Sequence, residues 1–233
     1  MKHVFITGVS SGLGEALCEL YLRAGAVVYG VSRTKPSFGM NDDNFHFILG
    51  DLSEPYLIND IAHELLREVE YLDLVILNAG MLGEIKTLAE SSIFEMKEVM
   101  DLNMWANKQL LDAIYKLNIF PKQVVAVSSG ASLSGHKGWG AYALSKAALN
   151  MLMLLFANER PETHFSSIAP GLVRTPMLEH LLSSVDSEAF PSVKRIKESP
   201  ILHPLEAAQR FYECIEMARN EKPSGIFIDS RNV

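Results

Sequence analysis

Residues 123–150, QVVAVSSGASLSGHKGWGAYALSKAALN, decide how the rest of the chain is read. The run Val124-Val125-Ala126-Val127 is short, apolar and β-branched, which predicts a strand buried on both faces. Ser128, Ser129 and Gly130 carry the chain into a loop. A helix follows that holds Tyr142 and Lys146, four residues apart and therefore one turn apart on the same face. A phenol ordinarily titrates near pH ~10, and an ammonium held beside it favours the phenolate. A tyrosine tuned in this way exchanges a proton near neutral pH. Ser129 stands at the strand end, where its hydroxyl can meet the phenol across a pocket. Tyr-x-x-x-Lys alone recurs by chance in helices, so the remainder of the chain has to supply the support.

Strand and helix signals alternate outward from this segment. Strands are predicted at 3–7, 27–31, 46–49, 74–77, 124–127, 165–168 and 226–228. Helices are predicted at 13–24, 57–69, 91–117, 141–158 and 205–219. This rhythm predicts an α/β fold, a single doubly wound domain over residues 1–233 with a seven-stranded parallel sheet flanked by helices. Residues 175–204 break the rhythm with Pro176, Pro191, Pro200 and Pro204, and stand where a lid over a pocket would insert.

Composition narrows the function classes. The 233 residues are 48% hydrophobic and 21% charged, an ordinary globular balance. The net charge of −7 argues against a nucleic-acid partner. Cys18 and Cys214 show no metal-ligand or disulfide spacing. No predicted apolar run is long enough for a membrane span, the longest being 151–157, and a strand begins before any signal-peptide core could form. A cytoplasmic protein without membrane attachment is the expectation.

The first turn, Thr7-Gly8-Val9-Ser10-Ser11-Gly12-Leu13-Gly14, joins a strand to a helix. Glycines there let a backbone approach a ligand, and a helix N-terminus favours an anion such as a pyrophosphate. The spacing is GxxxGxG, distinct from both the GxGxxG fingerprint and the triphosphate-binding loop. Ser32 and Arg33 end the second strand, and an arginine there suits the 2′-phosphate of NADP. Asp51, before Leu52, can accept from an adenine amino group or cap the next helix, with Ser53 competing for that cap. Asn78-Ala79-Gly80 forms a polar turn at the ligand-binding edge of such a sheet. Asn103, alone in a long helix, reads as an exposed or locally satisfied amide.

Taken together, TGVSSGLG at 7–14, Asp51-Leu52, Asn78-Ala79-Gly80, Asn103, Ser129, Tyr142-x-x-x-Lys146 and Pro170-Gly171 followed by Thr175 resemble the short-chain dehydrogenase/reductase family, in register along essentially the whole chain. The resemblance implies a catalytic tetrad of Asn103, Ser129, Tyr142 and Lys146, with Asn103 holding a water that relays protons to Lys146. It implies that Gly8, Gly12 and Gly14 cradle a pyrophosphate with Ser10, Ser11 and Leu13, and that Pro170, Gly171, Val173 and Thr175 hold the nicotinamide. The segment HKGWGAYALSKAALNML and the ending SGIFIDS are similar to sepiapterin reductase and bacterial benzil reductases. That similarity implies an NADPH-dependent carbonyl reductase acting on a small diketone or side-chain ketone. Asp229 would then anchor a pterin, or simply end the last strand. Leu133, Trp139, Leu172 and Met177 are candidate pocket walls, although such residues more often belong to a core. Other reductases of the same family and a non-catalytic NADP-binding sensor or scaffold are the rival readings, the second opposed by the presence of both Tyr142 and Lys146. Family likeness also implies a homodimer or homotetramer.

Overall fold

The structure, a computed structural model, describes residues 1–233. Its strands are β1 (His3–Thr7), β2 (Val27–Ser32), β3 (Phe45–Leu49), β4 (Leu74–Leu77), β5 (Gln123–Val127), β6 (His164–Ala169) and β7 (Ile226–Asp229). Its helices are α1 (Gly12–Arg23), α2 (Pro55–Leu66), α3 (Ile93–Met100), α4 (Ala106–Lys116), α5 (Gly140–Glu159), α6 (Pro176–Ser184), α7 (Pro191–Glu198) and α8 (Pro204–Glu221). All seven strands pair in parallel, in the order β3-β2-β1-β4-β5-β6-β7. The order reverses between β1 and β4, and that switch point opens a crevice at the carboxyl ends of the strands.

Alternation along β1 sends Phe5 to one face of the sheet and Val4 and Ile6 to the other. Phe5 joins a core with Val75, Leu110, Val124, Leu149 and Phe165, roofed by α2, α4 and α5. Val4 and Ile6 join Leu17, Phe211, Ile215 and Ile228 under α1 and α8. Each fully buried aliphatic or phenylalanine side chain is worth roughly 1.5–3 kcal/mol against exposure, so burial on both faces holds the sheet between its helices.

Two stretches depart from the sequence expectation. The helix expected over 91–117 is interrupted. Ser92 and Glu95 form a reciprocal cap at the start of α3, and a single π-helical turn, Asp101–Trp105, separates α3 from α4. Such turns carry one residue too many for the i→i−4 ladder, a feature frequent at functional sites. The segment 175–204 contains α6 and α7. Pro176, Pro191 and Pro204 each open a helix, where a missing N–H costs no hydrogen bond, so prolines that read as breakers mark beginnings.

Helix α5 is long and apolar enough to cross a bilayer by length and composition. Lys146, Leu149, Met153 and Phe156 nevertheless pack its inner face into the domain, while Leu144, Met151 and Leu155 stand exposed on the outer one.

Candidate active site

The crevice at the switch point is a cleft of about 1390 Å³, lined from one end by the turn after β1 and from the other by α6 and α7. At the β1 end, Gly8 adopts φ +75°, and a Cβ on Gly14 would lie 2.1 Å from the Gly8 carbonyl oxygen. Only glycine lets α1 start this close to the strand it follows. Ser11 precedes α1 without a side-chain cap, so the positive end of the helix dipole opens onto the cleft, which Ser10, Ser11, Leu13 and Gly14 line. Asn78 ties this turn to β4. Its Nδ2 donates to the Thr7 carbonyl at 2.9 Å and the Gly8 carbonyl at 3.2 Å, while the Asn78 and Ala79 amides both donate to Thr7 Oγ1 at 2.9 Å.

Arg33 lines the cleft beyond Ser32 at the end of β2, exposed and without an ion-pair partner. Asp51 lines it too, and its carboxylate accepts from the Ser53 amide at 2.9 Å and the Ser53 hydroxyl at 2.7 Å. Neither residue caps α2, whose preceding residue is Glu54. A glycine turn at a helix start, a free guanidinium at the second strand end and an acceptor at the third fit the pyrophosphate, the 2′-phosphate and the base of a dinucleotide.

Ser129, Tyr142 and Lys146 form one wall of the cleft. Lys146 is 4% exposed, and its Nζ donates to the Val127 carbonyl at 2.8 Å, so the end of β5 holds the side chain upright. Burial lowers its pKa from 10.5 to about 8. The Lys146 Nζ lies 5.8 Å from the centroid of the Tyr142 ring. The sequence expectation that the lysine draws the phenol down toward neutrality is corrected here. Burial pushes the Tyr142 phenol above its ordinary value, and the Ser129 hydroxyl offsets this only in part. An ordinary phenol already holds its proton at neutral pH, and the Ser129 hydroxyl is the neighbour that works against the upward shift.

Asn103 stands behind this wall, fully buried in the π-helical turn. Its Oδ1 accepts from the Met81 amide at 2.8 Å, and its Nδ2 donates to the Met81 carbonyl at 2.8 Å and to Ser145 Oγ at 2.9 Å. The Ser145 hydroxyl in turn donates to the Tyr142 carbonyl at 2.8 Å. The amide thus links the strand loop after Gly80 to the helix bearing Tyr142 and Lys146, and is neither exposed nor satisfied within its own helix. Ser145, which no sequence pattern marked, completes that brace.

Pro170, Gly171, Val173 and Thr175 line the cleft as expected, as do Leu52, Ala79, Gly80 and the wall candidates Trp139, Leu172 and Met177. Trp139 Nε1 donates to Ser192 Oγ at 2.8 Å, fastening α7 to the start of α5. Three expectations are corrected. Leu133 is 71% exposed and lies outside the cleft, because the chain coils into a short 3-10 turn at Gly130–Ser132 and turns it outward. Gly12 does not line the cleft; its bare Cα, at φ +60°, faces Thr175, whose Cγ2 would lie 2.7 Å from an added Cβ. Asp229 also stays off the cleft surface, and its carboxylate accepts from Arg231. Arg231 itself lines the cleft and was not found from sequence.

This geometry has counterparts. Residues 2–186 match the family model described as short chain dehydrogenase. This chain belongs to the short chain dehydrogenase family. Members bind a nicotinamide cofactor and act as oxidoreductases. The benzil reductase ((S)-benzoin forming) of Saccharomyces cerevisiae is 31% identical over 205 residues, covering 81% of this chain and 78% of that protein. Its counterpart from Bacillus subtilis is 30% identical over 207 residues, covering 85% of each. The crystal structure of a short chain dehydrogenase/reductase from Saccharomyces cerevisiae superposes with a TM-score of 0.85 at 26% identity, covering 99% of this chain and 96% of that one.

Proposed function

We propose that this short chain dehydrogenase is an NADPH-dependent carbonyl reductase acting on small vicinal dicarbonyls. The observation that carries the reading is the wall of Ser129, Tyr142 and Lys146 in the same cleft as the glycine turn and the unpartnered Arg33. A nicotinamide dinucleotide bound along that cleft would supply a hydride to the carbonyl carbon. The phenol of Tyr142 gives its proton to the carbonyl oxygen as that oxygen gains charge, and the Ser129 hydroxyl donates a hydrogen bond to the same atom. Ketone, hydride and proton balance to the alcohol. Lys146, with a pKa of about 8, then returns a proton to the phenolate, drawing its own replacement from solvent.

Arg33 supports NADPH over NADH, since a guanidinium pairs bidentately with a phosphate. Two relatives named as benzil reductases support a dicarbonyl substrate. Asp229 is paired with Arg231 through both of its oxygens, which counts against it as a pterin anchor. Both cysteines are free and buried, which agrees with work in a reducing compartment such as the cytoplasm.

Benzil reduction followed by NADPH absorbance tests the reading. Tyr142→Phe keeps the ring and removes the proton, so kcat falls by about 100-fold or more while NADPH binding by titration is retained. Near wild-type turnover in that variant would overturn the mechanism.

A further inference from the structure

Arg231 lies in the short turn Ser230–Asn232 that follows β7. Asp229 fixes its direction. The carboxylate accepts from Nε at 2.9 Å through Oδ1 and from Nη2 at 2.5 Å through Oδ2, and Oδ1 also accepts from the Arg231 backbone amide at 3.1 Å. A guanidinium carries five N–H donors, and this pairing uses two. Both N–H groups of Nη1 and one of Nη2 have no other protein partner.

Two glycines adjoin the side chain, Gly171 more tightly than Gly130. A Cβ on Gly171 would lie 3.3 Å from Arg231 Cγ, and one on Gly130 would lie 3.5 Å from Nη2. Gly130 directly follows Ser129, and Ser129, Gly130, Tyr142 and Arg231 all line the same cleft. The charge of the surrounding wall agrees. Every carboxylate lining the cleft comes from residues 51–98, whereas the lining contributed from Val127 onward contains Lys146, Arg195 and Arg231 and no carboxylate. Arg195, on α7, has no acidic partner and rests its Nη2 3.3 Å from His136 Nδ1.

We propose that Arg231, aimed by Asp229, is a substrate-binding residue that selects dicarbonyls whose second carbonyl is a carboxylate, namely α-keto acids. The inference rests on the carbonyl reductase reading and narrows it. The reacting ketone sits between Ser129 and Tyr142, and the carboxylate, one bond away, accepts from the unused edge of the guanidinium. A planar fork matches a carboxylate in two hydrogen bonds, which a neutral ketone cannot repay equally. This contact is the same in the ground and transition states, so it acts on KM.

The test uses benzoylformate and its methyl ester, which share the ketone and phenyl ring and differ in the charge. Steady-state curves with NADPH are measured for wild type, Arg231→Leu and Arg231→Lys. The expected result is a loss of about 10-fold in kcat/KM for benzoylformate in Arg231→Leu, carried by KM, with the ester changed less than about 2-fold and part of the loss restored in Arg231→Lys. Added KCl raises KM for benzoylformate in wild type and leaves the ester unaffected, a readout that needs no variant. An enzyme that reduces the ester, but in which Arg231→Leu alters both substrates alike and salt alters neither, overturns the inference and leaves the reductase reading intact. An enzyme that reduces neither compound nor benzil overturns both.

Discussion

Replacing Lys146 by methionine removes a buried ammonium while keeping much of the side chain's bulk. In the folded protein this lysine releases its proton at about pH 8, against 10.5 for a solvated lysine. The difference, about 2.5 units at about 1.36 kcal/mol each, makes the charged form roughly 3 kcal/mol costly to bury. The sign follows from proton counting. Between the two values the unfolded chain holds the proton and the folded chain does not, so wild-type stability rises with pH through that window. Below about pH 8 the full cost is present. Methionine escapes it but leaves the Val127 carbonyl without its donor, a loss of about 1–3 kcal/mol that offsets much of the gain. At pH 7 the two proteins are therefore expected to be similar in stability. Toward pH 10.5 the wild type gains up to roughly 3 kcal/mol over the variant, about 6–12 °C in Tm for a chain of this length. Urea or thermal melts of the cofactor-free proteins, run in parallel from pH 7 to 10.5, read this difference. Parallel pH profiles would refute the claim that Lys146 is buried with a depressed pKa.

Arg33→Ala is expected to weaken NADPH binding by about 10-fold or more, the scale of a hydrogen bond to a charged group, and to leave NADH nearly unchanged; equal losses in fluorescence titrations would remove Arg33 from the cofactor site. The outer face of α5, where Leu144, Met151 and Leu155 recur at helical spacing and stand exposed, supports pairing with a second copy of this chain. Sedimentation equilibrium is expected to give a dimer or tetramer for wild type and a monomer for Met151→Glu combined with Leu155→Glu, and a monomeric wild type would exclude the pairing.

Strand positions were legible because buried parallel strands are short continuous apolar runs, and each of the seven lies within a residue of its expected place at either end. Ser129, Tyr142 and Lys146 were legible because a strand end and a helix turn place them by local geometry alone. The direction of the Tyr142 shift was not. Helical spacing brings the lysine within reach of the ring, but how far the phenol is desolvated depends on what the folded chain places around it.

The same division separates the other residues. Local rules cover Gly8, whose left-handed backbone serves the turn it occupies, and the Ser92–Glu95 cap, whose partners lie three residues apart. Asn103 reads from its neighbours as an unremarkable helical amide, because its partners Met81 and Ser145 lie 22 and 42 residues away. Asp229 carries the same lesson at the other end of the sheet. Sequence placed it at the end of the last strand and likened it to a ligand anchor. Folding gave its carboxylate to Arg231 and turned the guanidinium, instead of the acid, toward the cleft. What this sequence determined by itself is what nearest neighbours and period determine: the strands, most of the helices, the glycine turn and the Tyr-Lys face. Which polar groups are spent on the protein and which remain for a ligand was decided only when distant segments met, because a hydrogen bond is settled by the partner that arrives.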